Sequence, residues 1–407
     1  MRILKIICVG FLVSTLFAGC AAEKKKTPKT DVETVLGQNA VKIKEALKSL
    51  NSFDSFPRNI PKGKQHWKLV GVKDWCSGFW PGVLWYGYEY TNDAEIKKAA
   101  EQFTETIKTI AYSPADDHDI GFQVYCSFGN GYRLTGNEAY KEIMLAAADT
   151  LATLYNPIVG AIQSWPSKKK IYPHNTIIDN MMNLELLFWA AKNGENKELY
   201  NIAESHAKVT MKHIVRPDSA TYHLGEFNDK TGEFIKGHTH QGYADESMWA
   251  RGQTWGIYGF AMAYRETGNQ DFLNTSIKLA DHFLNRLPED GIPYWDFDDP
   301  KIPNAPKDAS AAAIAACGML ELANVLKDEK LKTKYTNAAK KFVEILSSDK
   351  YLSGKTNDAL LLHSTGHHPK GSEIDVPIIY ADYYFMEALM RLEKLKSNNK
   401  KVVQTNN

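Results

Sequence analysis

Hydrophobic residues recur at alternating spacings of four and three positions in several long segments of the chain. The clearest segments are 96–110, 140–154, 273–287 and 331–345, and each carries charged residues on the remaining positions. One apolar stripe with a charged opposite face is typical of a helix that packs on a larger body through one side only. These segments are therefore predicted to be outer helices.

A second set of segments is apolar or small on nearly every side, which predicts helices buried on most faces. Turn-like sequences such as Gly136-Asn137 and Gly268-Asn269 follow several of them, where Gly ends one helix and Asn caps the next. Paired with outer helices that include 32–50 and 196–214, they form six helical hairpins. The buried segments are 76–91, 120–135, 179–191, 249–267, 309–325 and 376–393.

Six inner and six outer helices in alternation predict an all-α fold, a closed (α/α)6 barrel. An open solenoid of hairpins is the alternative. We expect one catalytic domain over residues 31–395 and a polar C-terminal tail over 396–407. Residues 221–235 are the one segment expected to form a short β-hairpin, outside the barrel.

The first residues of the chain have the layout of an export signal. Arg2 and Lys5 precede an apolar run over 6–17, and Ala18-Gly19-Cys20 resembles a lipoprotein processing site. We expect a signal peptide with lipobox over 1–20, Cys20 as the lipid anchor, and a polar tether over 21–30. The expected location is the periplasm or cell envelope, with contact to the membrane only through the anchor. Plain secretion is the alternative.

Composition excludes some classes of function. The chain has 49 basic and 48 acidic residues among 407, a net charge of +1, which provides no field for nucleic acid. Cys76, Cys126 and Cys317 are far apart and are expected to be buried thiols. The histidines at 238, 240, 363, 367 and 368 lack an accompanying set of Cys or carboxylate ligands at helical spacing, so no metal site is expected.

Unusual polar and aromatic residues collect before or at the start of the predicted inner helices. If those helices run parallel, these residues share one mouth of the barrel, where aromatic faces and convergent polar groups would form a carbohydrate pocket. They include Trp75, His118, Asp119, Asp179, Gln241, Trp249, Arg251, Gln253, Trp255, Lys307, Asp308 and Asp375.

Asp119 and Asp179 begin consecutive inner helices, so the barrel would make them neighbours. Nearby carboxyl groups push their pKa values apart, which lets one group hold a proton while the other is ionised. The alternative is that each aspartate only caps its helix, a common role of Asp. For Arg251, a carboxylate clamp and a surface salt bridge are both open.

Several stretches in order resemble glycoside hydrolase family 88, the unsaturated glucuronyl hydrolases, from about residue 56 to 391. Cys76 departs from the family pattern, in which Thr or Ser would follow the Trp. The stretches are Asp74-Trp75-Cys76-Ser77-Gly78-Phe79-Trp80-Pro81-Gly82, His118-Asp119-Ile120-Gly121-Phe122, Ile178-Asp179-Asn180-Met181-Met182-Asn183-Leu184, Trp249-Ala250-Arg251-Gly252-Gln253-Thr254-Trp255, Asp375-Val376-Pro377 and Tyr380-Ala381-Asp382-Tyr383-Tyr384.

This resemblance implies an (α/α)6 barrel in which Asp179 is the general acid and base and Asp119 assists it. It implies sugar contacts from Gln241, His223, Arg251, Trp255, His118, Trp75 and Ser372. The implied reaction hydrates the C4=C5 double bond of a 4,5-unsaturated glucuronic acid at the non-reducing end of an oligosaccharide. No metal or organic cofactor is implied.

The implied partners are unsaturated uronate-terminated oligosaccharides released by polysaccharide lyases, of glycosaminoglycan or ulvan type. Two alternatives stay open. An unsaturated rhamnogalacturonyl hydrolase would share the fold and the reaction. A non-catalytic, anchored glycan-binding protein would share the scaffold only.

Overall fold

The computed structural model of the chain describes residues 31–405, with side chains described to residue 398. Its main body is six helical hairpins in which outer and inner helices alternate. The outer helices are α1 (Val32–Lys48), α3 (Ala94–Ala111), α6 (Glu138–Ala152), α8 (Lys197–His213), α10 (Gln270–Asn285) and α12 (Glu329–Leu346). The inner helices are α2 (Phe79–Thr91), α4 (Ile120–Val124) continued by α5 (Asn130–Thr135), α7 (Asn180–Asn193), α9 (Ala250–Thr267), α11 (Ala309–Val325) and α13 (Ile379–Thr405).

The inner helices form a closed ring. Each packs against the next along the chain, and α13 returns to pack against α2. An open solenoid would leave the first and last hairpins apart, so this contact decides between the two arrangements. The predicted (α/α)6 barrel is confirmed.

The predicted hairpin turns are also confirmed. Asp93, Asn137, Asn196, Asn269 and Asp328 each cap the outer helix that follows, and their side-chain oxygens accept backbone N–H groups of its first turn. These bonds satisfy donors that have no partner within the helix.

Three inner helices end at a residue with left-handed backbone conformation, shortly before the residue that caps the next outer helix. Gly136 and Gly268 have φ of 65° and 70°, and Asn92 has φ of 55°. Glycine and asparagine tolerate this conformation better than other residues, which is why these turns could be recognised from sequence.

Some boundaries differ from the sequence-based expectation. A π-helical turn, Tyr125–Gly129, interrupts the second inner helix between α4 and α5. The last inner helix begins at Ile379, after Pro377, and continues to Thr405 through most of the segment expected to be a polar tail. Proline disfavours helix for the residue before it, which accounts for the later start.

Short strands lie outside the ring. β1 (Phe56–Asn59) pairs with β2 (Lys68–Val70), and β3 (Tyr155–Asn156) pairs with β4 (Ala161–Ile162). β6 (Leu224–Phe227) and β7 (Phe234–His238) form the antiparallel hairpin expected near 221–235, and β5 (His174–Ile177) adds to its edge. β5 was not predicted because four residues give too short a pattern. It leads directly into Asp179.

Small residues allow the inner helices to approach closely. A Cβ atom on Gly259 of α9 would lie 2.5 Å from the Met181 Cβ of α7, and one on Gly318 of α11 would lie 3.0–3.2 Å from Tyr258 atoms, including backbone, of α9. The ring therefore depends on glycine where two helices meet.

Within residues 31–405, none of the helices combines the length and apolarity needed to cross a membrane. The predicted signal peptide and lipobox over 1–20, Cys20 and the tether over 21–30 lie outside the described residues. Cys76, Cys126 and Cys317 are buried free thiols, as expected.

The packing of glycine in the ring can be tested with Gly318→Ala. The added methyl group meets Tyr258 backbone, which cannot move aside as a side chain could, so we expect the free energy of unfolding to fall by about 1–3 kcal/mol. Urea unfolding followed by circular dichroism measures this change. The matched control is Gly37→Ala in α1, whose nearest contact is 3.9 Å away, and it should be neutral or stabilising by up to about 1 kcal/mol. Equal stability of the two variants would contradict the close packing.

Candidate active site

A cavity of about 590 Å³ lies at the end of the ring where the inner helices begin. It is built from the N-terminal ends of inner helices and from the loops that precede them. Its lining residues are Arg58, Asn59, Pro61, Lys68, Val70, Asp74, Trp75, Asp119, Trp165, Lys168, Ile177, Asp179, His240, Gln241, Gly366, His367, Lys370, Ser372, Glu373 and Tyr380.

Asp119 and Asp179 both lie in the wall of this cavity and are each 8% exposed. Each occupies the N-cap position of its inner helix, α4 or α7, yet neither side chain accepts a capping hydrogen bond. Asp179 Oδ1 is buried and has no hydrogen-bond partner at all. Helix capping therefore does not explain these residues, and both carboxyl groups are available for chemistry.

Burial raises the pKa of both carboxyl groups. For Asp119 the pKa lies well above its usual value because of burial, with further increases from the charges of Asp117 and Asp179. For Asp179 burial raises the pKa to about 7, although Arg251, a backbone hydrogen bond and the Trp255 indole act in the opposite direction. Asp179 is thus poised to exchange a proton near neutral pH.

Two buried histidines face the carboxyl groups. His223 Nε2 lies 3.8 Å from Asp179 Oδ1, and His118 Nε2 lies 3.6 Å from Asp119 Oδ1. Burial lowers the pKa of both rings, to about 3 for His118, so both are neutral at pH 7. His223 Nδ1 accepts the backbone N–H groups of His240 and Gln241, so its own proton is on Nε2.

Arg251 is neither a surface salt bridge nor a free clamp. It is 1% exposed and donates to Asp308 Oδ2 at 2.9 Å and to the carbonyl oxygens of Thr365 and Gly366. It also lies 4.5 Å from the centre of the Trp249 ring. Three of its five N–H donors are occupied by these protein groups, and its charge acts on Asp179 through space.

The residues predicted to contact sugar divide into two groups. Trp75, Gln241 and Ser372 line the cavity, as expected. His118, His223, Arg251 and Trp255 do not line it, and each is at most 2% exposed. They form a layer behind the two carboxyl groups, and their contact with the sugar stays a prediction. The sequence predicts which residues lie at the mouth of the barrel. It does not show which of them face the cavity and which are buried behind the cavity wall.

Trp255 illustrates this second layer. Its ring packs against Phe122 and Tyr384 with centroid distances of 5.2 and 5.4 Å. Its buried Nε1 lies close enough to Asp179 for the N–H to lower the pKa of that carboxyl group, although the contact does not reach hydrogen-bond geometry. The indole therefore favours the ionised form of that carboxyl group.

Cationic groups of the cavity were missed from the sequence. Lys168 lies 3.7 Å from the centre of the Trp165 ring and 3.3 Å from His240 Nε2, and burial together with Lys370 lowers its pKa to about 8. Among the described residues, neither lysine forms an ion pair with a carboxylate. Both belong to loops between helices, where the hydrophobic pattern gives no signal.

Arg58 is a further lining residue that was not singled out. It forms ion pairs with Asp74 at 2.6 Å and Glu373 at 2.7 Å, and it lies 5.5 Å from the centre of the Trp75 ring. Trp75 in turn packs against Tyr380 at 5.1 Å. This network fixes the aromatic side of the cavity. Across residues 31–405, no cluster of three or more His, Cys, Asp or Glu side chains has the geometry of a metal site.

A family model described as Glycosyl Hydrolase Family 88 matches residues 49–395. The chain belongs to this family. An unsaturated glucuronyl hydrolase of Formosa agariphila is 38% identical over 404 residues, which are 97% of this chain and 99% of that protein. The chain is therefore a glycoside hydrolase, and the resemblance found in its motifs is confirmed.

Solved structures of family 88 agree with the fold. A crystal structure of an unsaturated glucuronyl hydrolase specific for heparin has a TM-score of 0.86 and 38% identity, over 90% of this chain and 98% of that one. An Asp→Asn variant of the Streptococcus agalactiae enzyme, complexed with dGlcA-GalNAc6S, has a TM-score of 0.76 and 30% identity, over 89% and 91%. These solved relatives are named unsaturated glucuronyl hydrolases, and curated streptococcal relatives that are 33–35% identical are named unsaturated chondroitin disaccharide hydrolases.

The raised pKa of Asp179 has a consequence for stability. Between the usual value of 3.8 and about 7, the folded state of this family 88 enzyme holds a proton at Asp179 that the unfolded state has lost. Stability therefore falls as pH rises through this window, by at most about 1.4 kcal/mol per pH unit for one proton. Asp179→Asn removes this loss, so the variant should gain stability relative to wild type from pH 5 to pH 8.

Thermal unfolding at the two pH values measures that gain. The matched control is Asp149→Asn on the exposed side of α6, which should follow wild type at both pH values. A constant difference between Asp179→Asn and wild type from pH 5 to pH 8 would contradict the raised pKa.

Proposed function

We propose that this family 88 enzyme removes 4,5-unsaturated glucuronic acid from the non-reducing end of lyase-generated oligosaccharides. The single observation that carries this proposal is the pair of buried, uncapped carboxyl groups, Asp119 and Asp179, in the wall of one cavity. Such a pair supplies a proton donor without requiring a covalent nucleophile.

The reaction begins at the double bond. Protonated Asp179 gives its proton to C4, and the positive charge at C5 is shared with the ring oxygen, as in the oxocarbenium-like states of other glycosidases. The ionised Asp179 then accepts a proton from water while the water oxygen bonds to C5. The resulting hemiketal opens to a C5 ketone, and the hemiacetal left at C1 releases the second sugar as an alcohol. One water molecule is consumed, and Asp179 regains its proton.

The surroundings of Asp179 are compatible with both its protonated and its ionised form. Burial keeps the carboxyl group protonated up to about neutral pH, which the first step requires. After that step the negative charge is stabilised by Arg251 and by the Trp255 N–H, and His223 Nε2 is 3.8 Å away. Burial also raises the pKa of Asp119 well above its usual value, which favours the protonated form, and Asp119 would assist as a hydrogen-bond donor.

The names of the relatives support an unsaturated glucuronyl oligosaccharide as the class of substrate. The Formosa agariphila relative is an unsaturated glucuronyl hydrolase, and the Streptococcus agalactiae structure holds dGlcA-GalNAc6S. Two single Asp→Asn variants of the latter enzyme were solved, and their positions are 60 residues apart. Asp119 and Asp179 have the same separation.

The cations of the cavity favour an acidic oligosaccharide. Lys168 and Lys370 carry charges that no carboxylate among the described residues neutralises, and Trp165 and Trp75 offer faces on which sugar rings stack. An anionic group on the second sugar would form ion pairs with these two lysines. This arrangement favours glycosaminoglycan or ulvan fragments over a neutral second sugar.

The catalytic roles can be tested by following the loss of ultraviolet absorbance of an unsaturated glucuronyl disaccharide. Asp179→Asn should lower kcat about 10²–10⁴-fold, because the general acid is lost. Asp119→Asn should lower kcat by a smaller factor. In wild type, kcat/KM should fall as pH rises above about 7, where Asp179 loses its proton in the free enzyme.

Asp149→Asn is the matched control and should retain wild-type kcat. Full activity of Asp179→Asn would overturn the mechanism. Substrate binding without turnover by wild type would support the non-catalytic glycan-binding protein. Turnover only when the second sugar is rhamnose would support an unsaturated rhamnogalacturonyl hydrolase.

Charge recognition of the second sugar can be tested with Lys370→Ala. We expect KM for a disaccharide with a sulfated second sugar to rise about two- to fivefold, as for a partly exposed charge contact, with little change in kcat. The unsulfated disaccharide should respond less, and added salt should reduce the difference. Lys355→Ala is the control, because Lys355 is exposed on a turn and does not line the cavity. An equal change in KM for both disaccharides would exclude this contact.

We also propose that the enzyme is exported and anchored through Cys20, in the periplasm or cell envelope. The support is the apolar run over 6–17 after Arg2 and Lys5 and the Ala18-Gly19-Cys20 sequence. Export suits an enzyme that receives products of extracellular lyases.

A further inference from the structure

Asn183 lies at a close contact between α4 and α7, the helices that begin after Asp119 and Asp179. It belongs to α7, the helix that begins after Asp179, and it is 0% exposed. A Cβ atom on Gly121 of α4 would lie 2.5 Å from Asn183 Cα, so only glycine fits there. The contact between Gly121 and Asn183 brings the starts of α4 and α7 together.

The side-chain oxygen of Asn183 caps the neighbouring helix. Asn183 Oδ1 accepts the backbone N–H of Phe122 at 2.7 Å, and Phe122 is the third residue of α4. This N–H is one that an N-cap side chain ordinarily satisfies. The N-cap residue of α4 is Asp119, whose carboxyl group makes no such bond. Asn183 thus occupies the capping position and leaves Asp119 free for the cavity.

The side-chain nitrogen of Asn183 determines the tautomer of His118. Because Oδ1 faces a backbone donor, Nδ2 must be the atom that lies 3.3 Å from His118 Nδ1. An amide N–H₂ group only donates, so Nδ1 accepts and the ring proton is on Nε2. That N–H lies 3.6 Å from Asp119 Oδ1, and the Asn180 side chain is the other hydrogen-bonding group near the ring.

The two catalytic carboxyl groups therefore have equivalent partners. At Asp179, backbone N–H groups force the proton of His223 onto Nε2. At Asp119, Asn183 does the same to His118. The two imidazole rings present an N–H toward their carboxyl groups while remaining neutral. The charges of Asp117, Asp179 and Asp74 also raise the pKa of Asp119, and the Asn183 amide acts on this carboxyl group directly by lowering its pKa.

We propose that Asn183 is a positioning residue of the reaction, which caps α4 in place of Asp119 and holds His118 with its N–H toward that carboxyl group. The proposal rests on the proposed function for its kinetic effect only. The tautomer of His118 does not depend on any activity.

Asn183→Asp separates the two roles of the amide. One carboxylate oxygen still accepts the Phe122 N–H, but the donor to His118 Nδ1 is lost, so the ring proton should move to Nδ1. Asn183→Ala removes both contacts and leaves Asp119 to cap its own helix. We expect both variants to lower kcat/KM about 10–100-fold, mainly through kcat, as for a small misplacement of a catalytic group. The new charge in Asn183→Asp should also shift the pH profile.

Nitrogen-15 NMR of labelled histidine reports the tautomer directly, with His118→Gln to assign the signal. Wild type should show His118 protonated on Nε2, and Asn183→Asp should show protonation on Nδ1. Asn39→Asp is the matched control, because Asn39 is a buried asparagine of the outer helix α1. It should leave the His118 signal and kcat/KM unchanged.

An unchanged His118 tautomer in Asn183→Asp, or kcat/KM within twofold of wild type in both variants, would overturn the proposal. If wild type fails to consume any unsaturated uronate while the tautomer responds as expected, the proposed function is wrong and the positioning of His118 by Asn183 is supported. Unchanged signals from the other histidines show that a variant is folded.

Discussion

The structure depends on holding two carboxyl groups out of water at the starts of successive inner helices. Burial disfavours the charged form of each group, which raises the pKa of Asp179 to about 7 and holds that of Asp119 well above its usual value. An exposed aspartate would be ionised at neutral pH and could not act as a proton donor. The closed ring of inner helices provides this environment because its N-terminal ends converge on one cavity.

A layer of side chains behind the cavity wall sets the charge and hydrogen-bonding environment of the two buried carboxyl groups. Arg251 supplies positive charge behind Asp179 without entering the cavity, because Asp308 and two carbonyl oxygens occupy its donors. His118 and His223 remain neutral and face the carboxyl groups through Nε2. The neutral rings lie near the carboxyl groups without competing for their protons, and the charge of Arg251 favours the ionised state of Asp179.

The division between ring and loops has a functional meaning. Helices of the ring supply the carboxyl groups and the layer behind them, while Trp165, Lys168 and Lys370 come from connecting segments. Chemistry at the unsaturated uronate is thus placed on the rigid part of the fold. In the proposed function, recognition of the second sugar falls to loops, which change most readily between relatives.

The sequence by itself determined the helical hairpins, their capping residues and the alternation of inner and outer helices, since these follow from local periodicity and turn chemistry. Closure of the ring was decided by the tertiary contact between α13 and α2. The sequence also identified Asp119 and Asp179, because residues at the starts of parallel helices must share one mouth. Only the tertiary structure decided that neither aspartate caps its helix, that Arg251 and Trp255 lie behind the cavity wall, and that Lys168 and Lys370 face it. These facts depend on which residue from a distant segment forms a hydrogen bond with each polar group, as Asn183 does with the backbone N–H of Phe122. A local sequence pattern does not contain this information.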